Sequence, residues 1–273
     1  MKNLLCLNSN TYHGFSLDEA IRGTAKAGFR YIELAAVRGY TEHVRWEMSG
    51  DEIRDVKAKL ANHGLECIAL GAHSNLNSAE GVSNFEQSIR LASRLGCKYI
   101  VTSTGDAHDD HDVIEDESEL LRVLKPLAKM CESAGITLTI ETHGNNYATG
   151  KAVKALVEQC DSRFIGVNYD TANVIFYGRT VPYEDLQQSS DRVEFIHLKD
   201  KIGFEQIWNF PAIGEGDIDF AKVFRILQTT NCTAPLSVEI EFTSAGPSGL
   251  EEVDQAVADS YRAIQTVMLQ MNR

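Results

Sequence analysis

The sequence predicts a single (β/α)8 barrel, and three observations carry this prediction. Short apolar runs alternate with amphipathic stretches along the whole of residues 1–273, as expected when helices cover parallel strands on both faces. Eight such strands can be assigned, which is more than an open doubly wound sheet usually contains. No linker or low-complexity block divides the chain, so we expect one domain.

The predicted strands are nearly continuous apolar runs that stop at polar residues or glycines. They cover residues 4–10, 31–36, 65–73, 99–105, 137–144, 164–173, 193–200 and 236–242. Between them, apolar residues recur at helical spacing, as in Ile53, Val56 and Leu60. Four of these helical patterns end at a glycine suited to the left-handed conformation that closes a helix: Gly28, Gly64, Gly96 and Gly135. A last helix at about residues 250–270 completes the ring.

Composition and charge narrow the class of protein. The net charge of −13, from 26 basic and 39 acidic residues, disfavours binding to nucleic acids and anionic membranes. No segment approaches the roughly 18 consecutive apolar residues of a membrane span. The six cysteines are scattered without a CxxC pair, so we expect reduced thiols in the core. A cytoplasmic protein without nucleic-acid or membrane partners fits these features.

Polar side chains occur at the carboxyl ends of the last four predicted strands. In a (β/α)8 barrel the chemistry lies at the carboxyl ends of the strands, so these residues are candidates for a site. The candidates are Glu141 and His143, Asp170 and Asn173, His197, Lys199 and Asp200, and Glu239 and Glu241. Because side chains alternate along a strand, both members of the pairs Glu141/His143, His197/Lys199 and Glu239/Glu241 share a face.

Four of these residues have the composition of a cation site. Glu141, Asp170, His197 and either Glu239 or Glu241 would converge from four consecutive strands as three oxygens and one nitrogen. Such a donor set favours one divalent ion of Mn²⁺, Mg²⁺, Co²⁺ or Zn²⁺ over thiophilic ions. Each residue alone could instead form a salt bridge at the rim. Packing several carboxylates together without a cation is costly, however, so we predict a metal site.

Several segments resemble one family. The segments IETHG, NYDTANV, FIHLKDK, IGEGDIDF and SVEIEF look like those of the xylose isomerase-like TIM barrel superfamily, particularly proteins called sugar phosphate isomerase/epimerase. The resemblance implies an isomerase or epimerase of a ketose, aldose or derivative, possibly phosphorylated, working by proton transfer through a metal-bound enediolate. It leaves open a metal-dependent lyase of the keto-polyol dehydratase type. An endonuclease IV-like nuclease and a non-enzymatic sugar-binding barrel fit less well. Relatives are often dimers or tetramers.

Carried over by position, the resemblance assigns roles to individual residues. It implies that Glu141, Asp170, His197 and Glu239 ligate the metal, with Glu239 preferred to Glu241 because it matches the first glutamate of the strand-eight motif. It also implies that Glu141 and Glu239 form the catalytic acid/base pair. Relatives often have histidine where this chain has Asn173, which argues against a second metal and suggests a hydrogen bond to a substrate hydroxyl.

Four further residues are expected to contact the substrate, each with an alternative. His73 ends the third strand on the active face, and His143 binds substrate or orients Glu141 through a hydrogen bond. Lys199 neutralises an anionic group or pairs with Asp200 or Glu241. Glu33 contacts substrate or forms a salt bridge with Arg38.

Two motifs contain ligand-type residues or glycines but do not predict a binding site. The acidic run 105–119 contains His108 and His111 among aspartates, but consecutive loop residues cannot readily point at one ion, and such runs are usually solvated. The Gly214-Glu215-Gly216 turn is too generic to predict a phosphate cradle. In the same loop, Trp208 either stacks on a sugar ring or packs the loop.

Overall fold

The protein folds as a closed barrel of eight parallel strands, as the sequence predicts. This computed structural model describes residues 2–105 and 116–271. The barrel strands are β1 Leu5–Asn8, β2 Tyr31–Val37, β3 Glu66–Gly71, β4 Tyr99–Thr102, β5 Thr137–Glu141, β6 Ile165–Asp170, β7 Val193–Leu198 and β8 Leu236–Val238. Each strand pairs in parallel with the next along the chain, and β8 pairs with β1 to close the ring.

Helices follow the strands and surround the barrel. They are α1 Leu17–Ala27, α2 Gly50–Asn62, α3 Ala79–Leu95, α4 Glu117–Ala134, α5 Gly150–Glu158, the single turn α6 Asn173–Phe176, α7 Pro182–Ser189, α8 Phe220–Thr229 and α9 Leu250–Met271. Among the described helices, none has the combination of length and apolarity needed to cross a lipid bilayer.

The sequence specifies where several helices begin and end. Ser16 and Ser49 each cap a helix in a reciprocal capping box with a glutamate three residues later. The four glycines expected to end helices all have positive φ, between 68° and 106°. Three of them are the capping residues themselves, whereas Gly64 follows the cap residue His63.

The apolar residues form two buried groups. The larger group lies between the barrel and its helices and includes residues from both layers. The smaller group consists of Cys6, Ile68, Ala69, Val101 and Phe195, and Tyr31 and Tyr99 pack against it. Because Phe195 is two residues before His197 on β7, the two side chains point to the same face of the strand. The smaller group therefore fills the barrel interior beneath the site.

Apart from β2, which is one residue longer than predicted, the strands of the structure are shorter than the sequence predicts. The sixth strand, for example, was expected at 164–173 but spans Ile165–Asp170. The polar residues after the last inter-strand hydrogen bond leave the strand and line the barrel mouth. The apolar pattern of the sequence does not mark where that last hydrogen bond lies. Three short strands, Thr41–Glu42, Asn209–Phe210 and Phe242–Thr243, were not predicted. Most of the acidic run 105–119, with His108 and His111, lies outside the described residues.

Candidate active site

A pocket of about 480 Å³ opens at the carboxyl ends of the barrel strands. Six of the predicted site residues line it: His73, Glu141, His143, Asn173, Lys199 and Glu239. Glu241, the alternative ligand, lines it as well. The residues expected from strand ends therefore meet in one place.

The four candidate metal ligands converge at the base of this pocket. Glu141 and Asp170 are the last residues of β5 and β6, His197 is the next to last of β7, and Glu239 directly follows β8. Asp170 and His197 are direct partners in the strand pairing. One ligand atom from each of the four residues lies within 4.8 Å of the others, and all four side chains are buried.

The donor set fits a divalent cation. Oδ1 of Asp170 accepts hydrogen bonds from two backbone N–H groups, of Ala172 and Asn173, at 2.8 Å each. Its other oxygen, Oδ2, has no hydrogen-bond partner among the described residues. Burial raises the pKa of Asp170 to about 7, and the carboxylates of Glu141 and Glu239 add to the shift against the attraction of Lys199. A cation would satisfy this oxygen and offset the repulsion, so the three oxygens and one nitrogen suit a hard or borderline ion such as Mg²⁺, Mn²⁺, Co²⁺ or Zn²⁺.

His197 offers a single nitrogen to the cluster. Its Nδ1 lies 3.3 Å from Glu141 Oε1 and 3.5 Å from Glu239 Oε2. Its Nε2 lies 3.0 Å from Oε2 of Glu33. Burial alone would lower the pKa of His197, but Glu33, Glu141 and Glu239 outweigh burial and raise it. The ring is therefore oriented by a carboxylate on the side away from the cluster.

Glu33 does not line the pocket, and this position argues against the substrate contact expected from the sequence. Its side chain is fully buried behind His197 and accepts a hydrogen bond of 2.6 Å from Ser237. The alternative salt bridge with Arg38 is also absent from the described residues, because Arg38 pairs with Glu47 at 2.9 Å. Sequence reasoning missed that β2 points this residue into the barrel.

Glu141 is held on two sides. Nε2 of His73 lies 2.5 Å from its Oε2, and Nδ2 of Asn173 donates to its Oε1 at 3.0 Å. Burial would raise the pKa of Glu141, but His197 and His73 together hold it well below its usual range. Burial would likewise lower the pKa of His73, but Glu141 outweighs burial and raises it. The pair therefore favours an ionised glutamate beside a charged imidazole.

His143 lies on the wall next to this pair. Its ring is 5.6 Å from that of His73 and 4.8 Å from that of Tyr177, measured between centroids. Trp208 lines the pocket and also packs edge-on against Phe210 at 5.0 Å, so both roles considered for it are compatible with its position.

Lys199 lies among carboxylates. Its Nζ is 2.5 Å from Glu241, 3.3 Å from Glu239 and 3.6 Å from Asp170. Burial would lower the pKa of Lys199, but these neighbours raise it well above its usual value. The expected ion pair with Glu241 is present, whereas Asp200 binds elsewhere.

Two further residues at the site were missed: Asn8, which ends β1, and Asn10, which follows it. Nδ2 of Asn8 and Nδ2 of Asn10 both donate to Oε1 of Glu239, at 3.0 and 3.1 Å. Burial would raise the pKa of Glu239, but Lys199 and His197 lower it, with help from Asn10. The rule that polar residues at strand ends form the site applies to β1 as well and would have found both asparagines.

Comparison with known proteins agrees with this architecture. The sequence profile of the xylose isomerase-like TIM barrel matches residues 21–264. An inosose dehydratase of Geobacillus kaustophilus is 24% identical over 238 residues, covering 74% of this chain and 76% of that protein. The inosose dehydratase of Clostridium tetani is 29% identical over 153 residues, so the chain matches only about half (51%) of its length. A probable L-ribulose-5-phosphate 3-epimerase of Mycoplasma pneumoniae is 21% identical over 238 residues, 83% of this chain and 77% of that one.

Solved structures show the same fold. An L-ribulose 3-epimerase superposes with a TM-score of 0.77 at 19% identity, covering 99% of this chain and 97% of that one. A xylose isomerase-like TIM barrel protein of Mycobacterium smegmatis in complex with magnesium gives 0.74 at 15% identity, with 97% of both chains covered. The profile match spans most of the sequence, and it establishes that the chain belongs to the xylose isomerase-like TIM barrel family.

Proposed function

We propose that this chain is a divalent-metal-dependent isomerase or epimerase of a sugar or sugar derivative. The observation that carries the proposal is the convergence of Glu141 and Glu239 on His197, at 3.3 and 3.5 Å from its Nδ1. Proton removal and return next to a carbonyl require one ionised carboxylate as base and a second, protonated carboxyl group as acid, and these two glutamates on different strands beside a cation site can fill the two roles.

One divalent ion fits the proposal, held by Glu141, Asp170, His197 and Glu239. When bound, it would polarise the substrate carbonyl and stabilise negative charge on its oxygen. Magnesium is supported by the related protein from Mycobacterium smegmatis, whose structure is named as a complex with that ion. Manganese, cobalt and zinc suit the same donors.

Glu141 and Glu239 are proposed as the acid/base pair. The pKa of Glu141 is held low by His197 and His73, so it is ionised and ready to accept a proton from carbon. Nε2 of His73 lies 2.5 Å from Oε2 of Glu141, so the charged imidazole would stabilise the ionised carboxylate. Glu239 is fixed by hydrogen bonds from Asn8 and Asn10, and in its protonated form it would deliver its own proton to the other face of the carbon while Glu141 keeps the one it removed. The two glutamates are thus restrained by separate partners, as an exchange between two faces of a substrate needs.

The pocket wall supplies groups for hydroxyl recognition. We propose that His73, His143 and Asn173 contact substrate hydroxyls, because each lines the pocket beside Glu141. Lys199 is proposed to reach the same substrate from the side of Glu239. Glu33 is proposed to orient His197 and not to contact the substrate.

A lyase of the keto-polyol dehydratase type is a second candidate. The names of two relatives, both inosose dehydratases, favour it. The pair of His73 and Glu141 favours it too, since a charged imidazole can protonate a departing hydroxyl after the same initial proton removal. We further propose a cytoplasmic location, a small-molecule sugar partner, no nucleic-acid or membrane partner, and a homo-dimer or homo-tetramer. The net charge of −13 supports the exclusion of nucleic acid and anionic membranes.

Proton NMR in D2O tests the proposal. Purified protein with Mg²⁺ or Zn²⁺ is incubated with keto-sugars, sugar phosphates and keto-polyols, and deuterium incorporation next to the carbonyl is followed. Metal-dependent exchange with an unchanged product formula supports an isomerase or epimerase. Loss of water moves the assignment to the lyase. No exchange across the panel contradicts both.

A further inference from the structure

We infer that the natural substrate is uncharged: a polyhydroxy carbonyl compound that carries neither phosphate nor carboxylate. This inference rests on the proposed function, because it concerns the substrate of the same pocket. It follows from where the cations of the pocket lie, from what the loop amides bind, and from the polarity of the outer wall.

The charges around the pocket leave no positive surplus for an anion. Among the described residues, the lining includes four carboxylates, of Glu80, Glu141, Glu239 and Glu241, and two Lys or Arg side chains, Arg38 and Lys199. With Asp170 as a further ligand beneath the lining, one bound divalent ion would leave these groups without positive excess even when His73 is protonated. A phosphate dianion would enter a site that its own charge makes negative.

Lys199, the deeper of the two cations, is already neutralised. Glu241, Glu239 and Asp170 all lie within 3.6 Å of its Nζ, and its side chain is 4% exposed. Binding a phosphate there would require breaking a buried ion pair, which leaves a buried carboxylate uncompensated. This lysine is therefore placed to hold Glu239 and Glu241, and to meet at most a neutral oxygen.

Arg38, the outer cation, is also engaged. It pairs with Glu47 at 2.9 Å, and its guanidinium lies 4.6 Å from the ring centroid of Trp46. More than half of the side chain is exposed, so water screens its charge. One such arginine differs from the convergent donors that hold a phosphate.

In barrels of this type the loops after β7 and β8 often bind phosphate. In the loop after β7, the backbone donors of Gly214, Gly216 and Ile218 are already occupied. Asp200, which lies two residues after β7, accepts N–H hydrogen bonds from Gly214 at 2.8 Å, Gly216 at 3.0 Å and Ile218 at 3.2 Å. A Cβ on Gly216 would lie 2.3 Å from Oδ1 of Asp200, so the backbone packs directly against the carboxylate. The protein's own carboxylate thus takes the place that a phosphate would have.

Besides Arg38 and Glu80, which carry opposite charges, the outer wall of the pocket includes several neutral polar side chains. Ser74, Asn75, Ser78, Asn84 and Ser103 contribute hydroxyl and amide groups to it. Such groups match the donors and acceptors of sugar hydroxyls.

Matched pairs of neutral and phosphorylated compounds test the inference on the magnesium-loaded full chain. D-fructose, D-tagatose and D-ribulose are compared with D-fructose 6-phosphate, D-tagatose 6-phosphate and D-ribulose 5-phosphate in the deuterium-exchange assay. We expect kcat/KM for the neutral member of the reacting pair to be about 100-fold higher, because like charges oppose entry of the phosphate. Equal or faster exchange with a phosphorylated member overturns the inference.

A binding measurement keeps this test separate from the proposed function. D-glucitol and D-glucitol 6-phosphate lack a carbonyl, so their affinities, measured by ligand-observed NMR, do not depend on turnover. Tighter binding of D-glucitol supports an uncharged ligand even if no ketose exchanges, in which case only the proposed reaction fails. Tighter or equal binding of the phosphate, or binding of neither, overturns the inference.

Two charge-addition variants supply a further test and its matched control. Asn84→Lys places a cation on the outer wall, whereas Gln228→Lys adds the same charge at an exposed position near the end of α8. We expect Asn84→Lys to shift the affinity ratio toward D-glucitol 6-phosphate by about 10-fold and Gln228→Lys to leave it unchanged. No shift with Asn84→Lys, or an equal shift with both, overturns the inference.

Discussion

Nε2 of His197 lies 3.0 Å from Oε2 of Glu33, deep in the barrel and beneath the pocket. Ser237 donates a second hydrogen bond to the same carboxylate oxygen at 2.6 Å. A cation at Nδ1 would leave Nε2 as the protonated nitrogen that donates to Glu33. Carboxylates in this position fix the tautomer and orientation of a ligand histidine and increase its basicity. Glu33 therefore acts on the site through His197.

Replacing this carboxylate should weaken metal binding without removing a ligand. We expect Glu33→Gln to lower the affinity for Mg²⁺ about 10- to 100-fold, because a neutral amide accepts the Nε2 hydrogen bond less strongly. Titration calorimetry measures the affinity. Glu66→Gln, an exposed glutamate at the start of β3, is the control that changes charge alone. An unchanged affinity in Glu33→Gln would show that Glu33 does not support the site.

Glu141→Gln should abolish turnover while sparing the fold. Loss of a positioned base lowers proton transfer about 10²- to 10⁴-fold, and the amide cannot take the proton from carbon. The exchange rate is measured at saturating metal, so that a weaker affinity for the ion is not mistaken for slower proton transfer. Circular dichroism checks the fold, and Glu158→Gln at the exposed end of α5 is the matched variant. Near-normal activity of Glu141→Gln would contradict the assignment of Glu141 as the base.

The two glutamates after β8 should differ in their effect on the metal. Glu239 belongs to the four-residue cluster, whereas Glu241 pairs with Lys199 at 2.5 Å. Glu239→Gln is expected to reduce Mg²⁺ affinity at least about 10-fold more than Glu241→Gln, since only the first removes a charged ligand. Both affinities are measured under one set of conditions. The reverse order would make Glu241 the ligand.

The sequence was sufficient to predict the barrel and to bring Glu141, Asp170, His197 and one of the two glutamates after β8 together, because both follow from periodicity and from the common edge where parallel strands end. The choice of Glu239 came from the family resemblance. It was not sufficient for Glu33. Whether a strand-two carboxylate faces the pocket or lies beneath a histidine depends on the height of the residue in the barrel and on its neighbours across the interior. Ser237 and His197 supply those neighbours from β8 and β7, more than 160 residues away in the chain.

Metal removal should destabilise the protein measurably. Three carboxylates converge in the cluster, and Asp170 Oδ2 has no hydrogen-bond partner in the described part of the chain. An ion that binds only the folded state at about 100 times its Kd contributes about 2.7 kcal/mol, so chelation should lower Tm by about 5–10 °C. Thermal unfolding with EDTA and with excess Mg²⁺ measures the difference.

Asp170→Asn is the control for that measurement. It removes one charged ligand, so its Tm should depend far less on chelation than that of the unaltered chain. A Tm that is insensitive to EDTA in the unaltered protein would argue against a resident divalent ion.

The carboxylate of Asp200 should contribute strongly to stability. It accepts backbone N–H bonds from Lys201, Gly214, Gly216 and Ile218, at 2.8 to 3.2 Å, and its side chain is buried. Asp200→Ala leaves these donors without their acceptor, and an unsatisfied buried donor costs about 1–3 kcal/mol. Water can replace part of this set, because Gly214 is exposed. We therefore expect the free energy of unfolding to fall by about 3 kcal/mol, measured by urea titration.

Asp217→Ala is the matched variant in the same loop. Asp217 accepts one exposed bond, from the N–H of Gly203 at 2.7 Å, so its loss should cost less than about 1 kcal/mol. Equal, small effects of the two substitutions would mean that the amides of the loop do not depend on Asp200. That result would also reopen the segment 214–218 as a place for a substrate anion, since its donors would then be available at little cost.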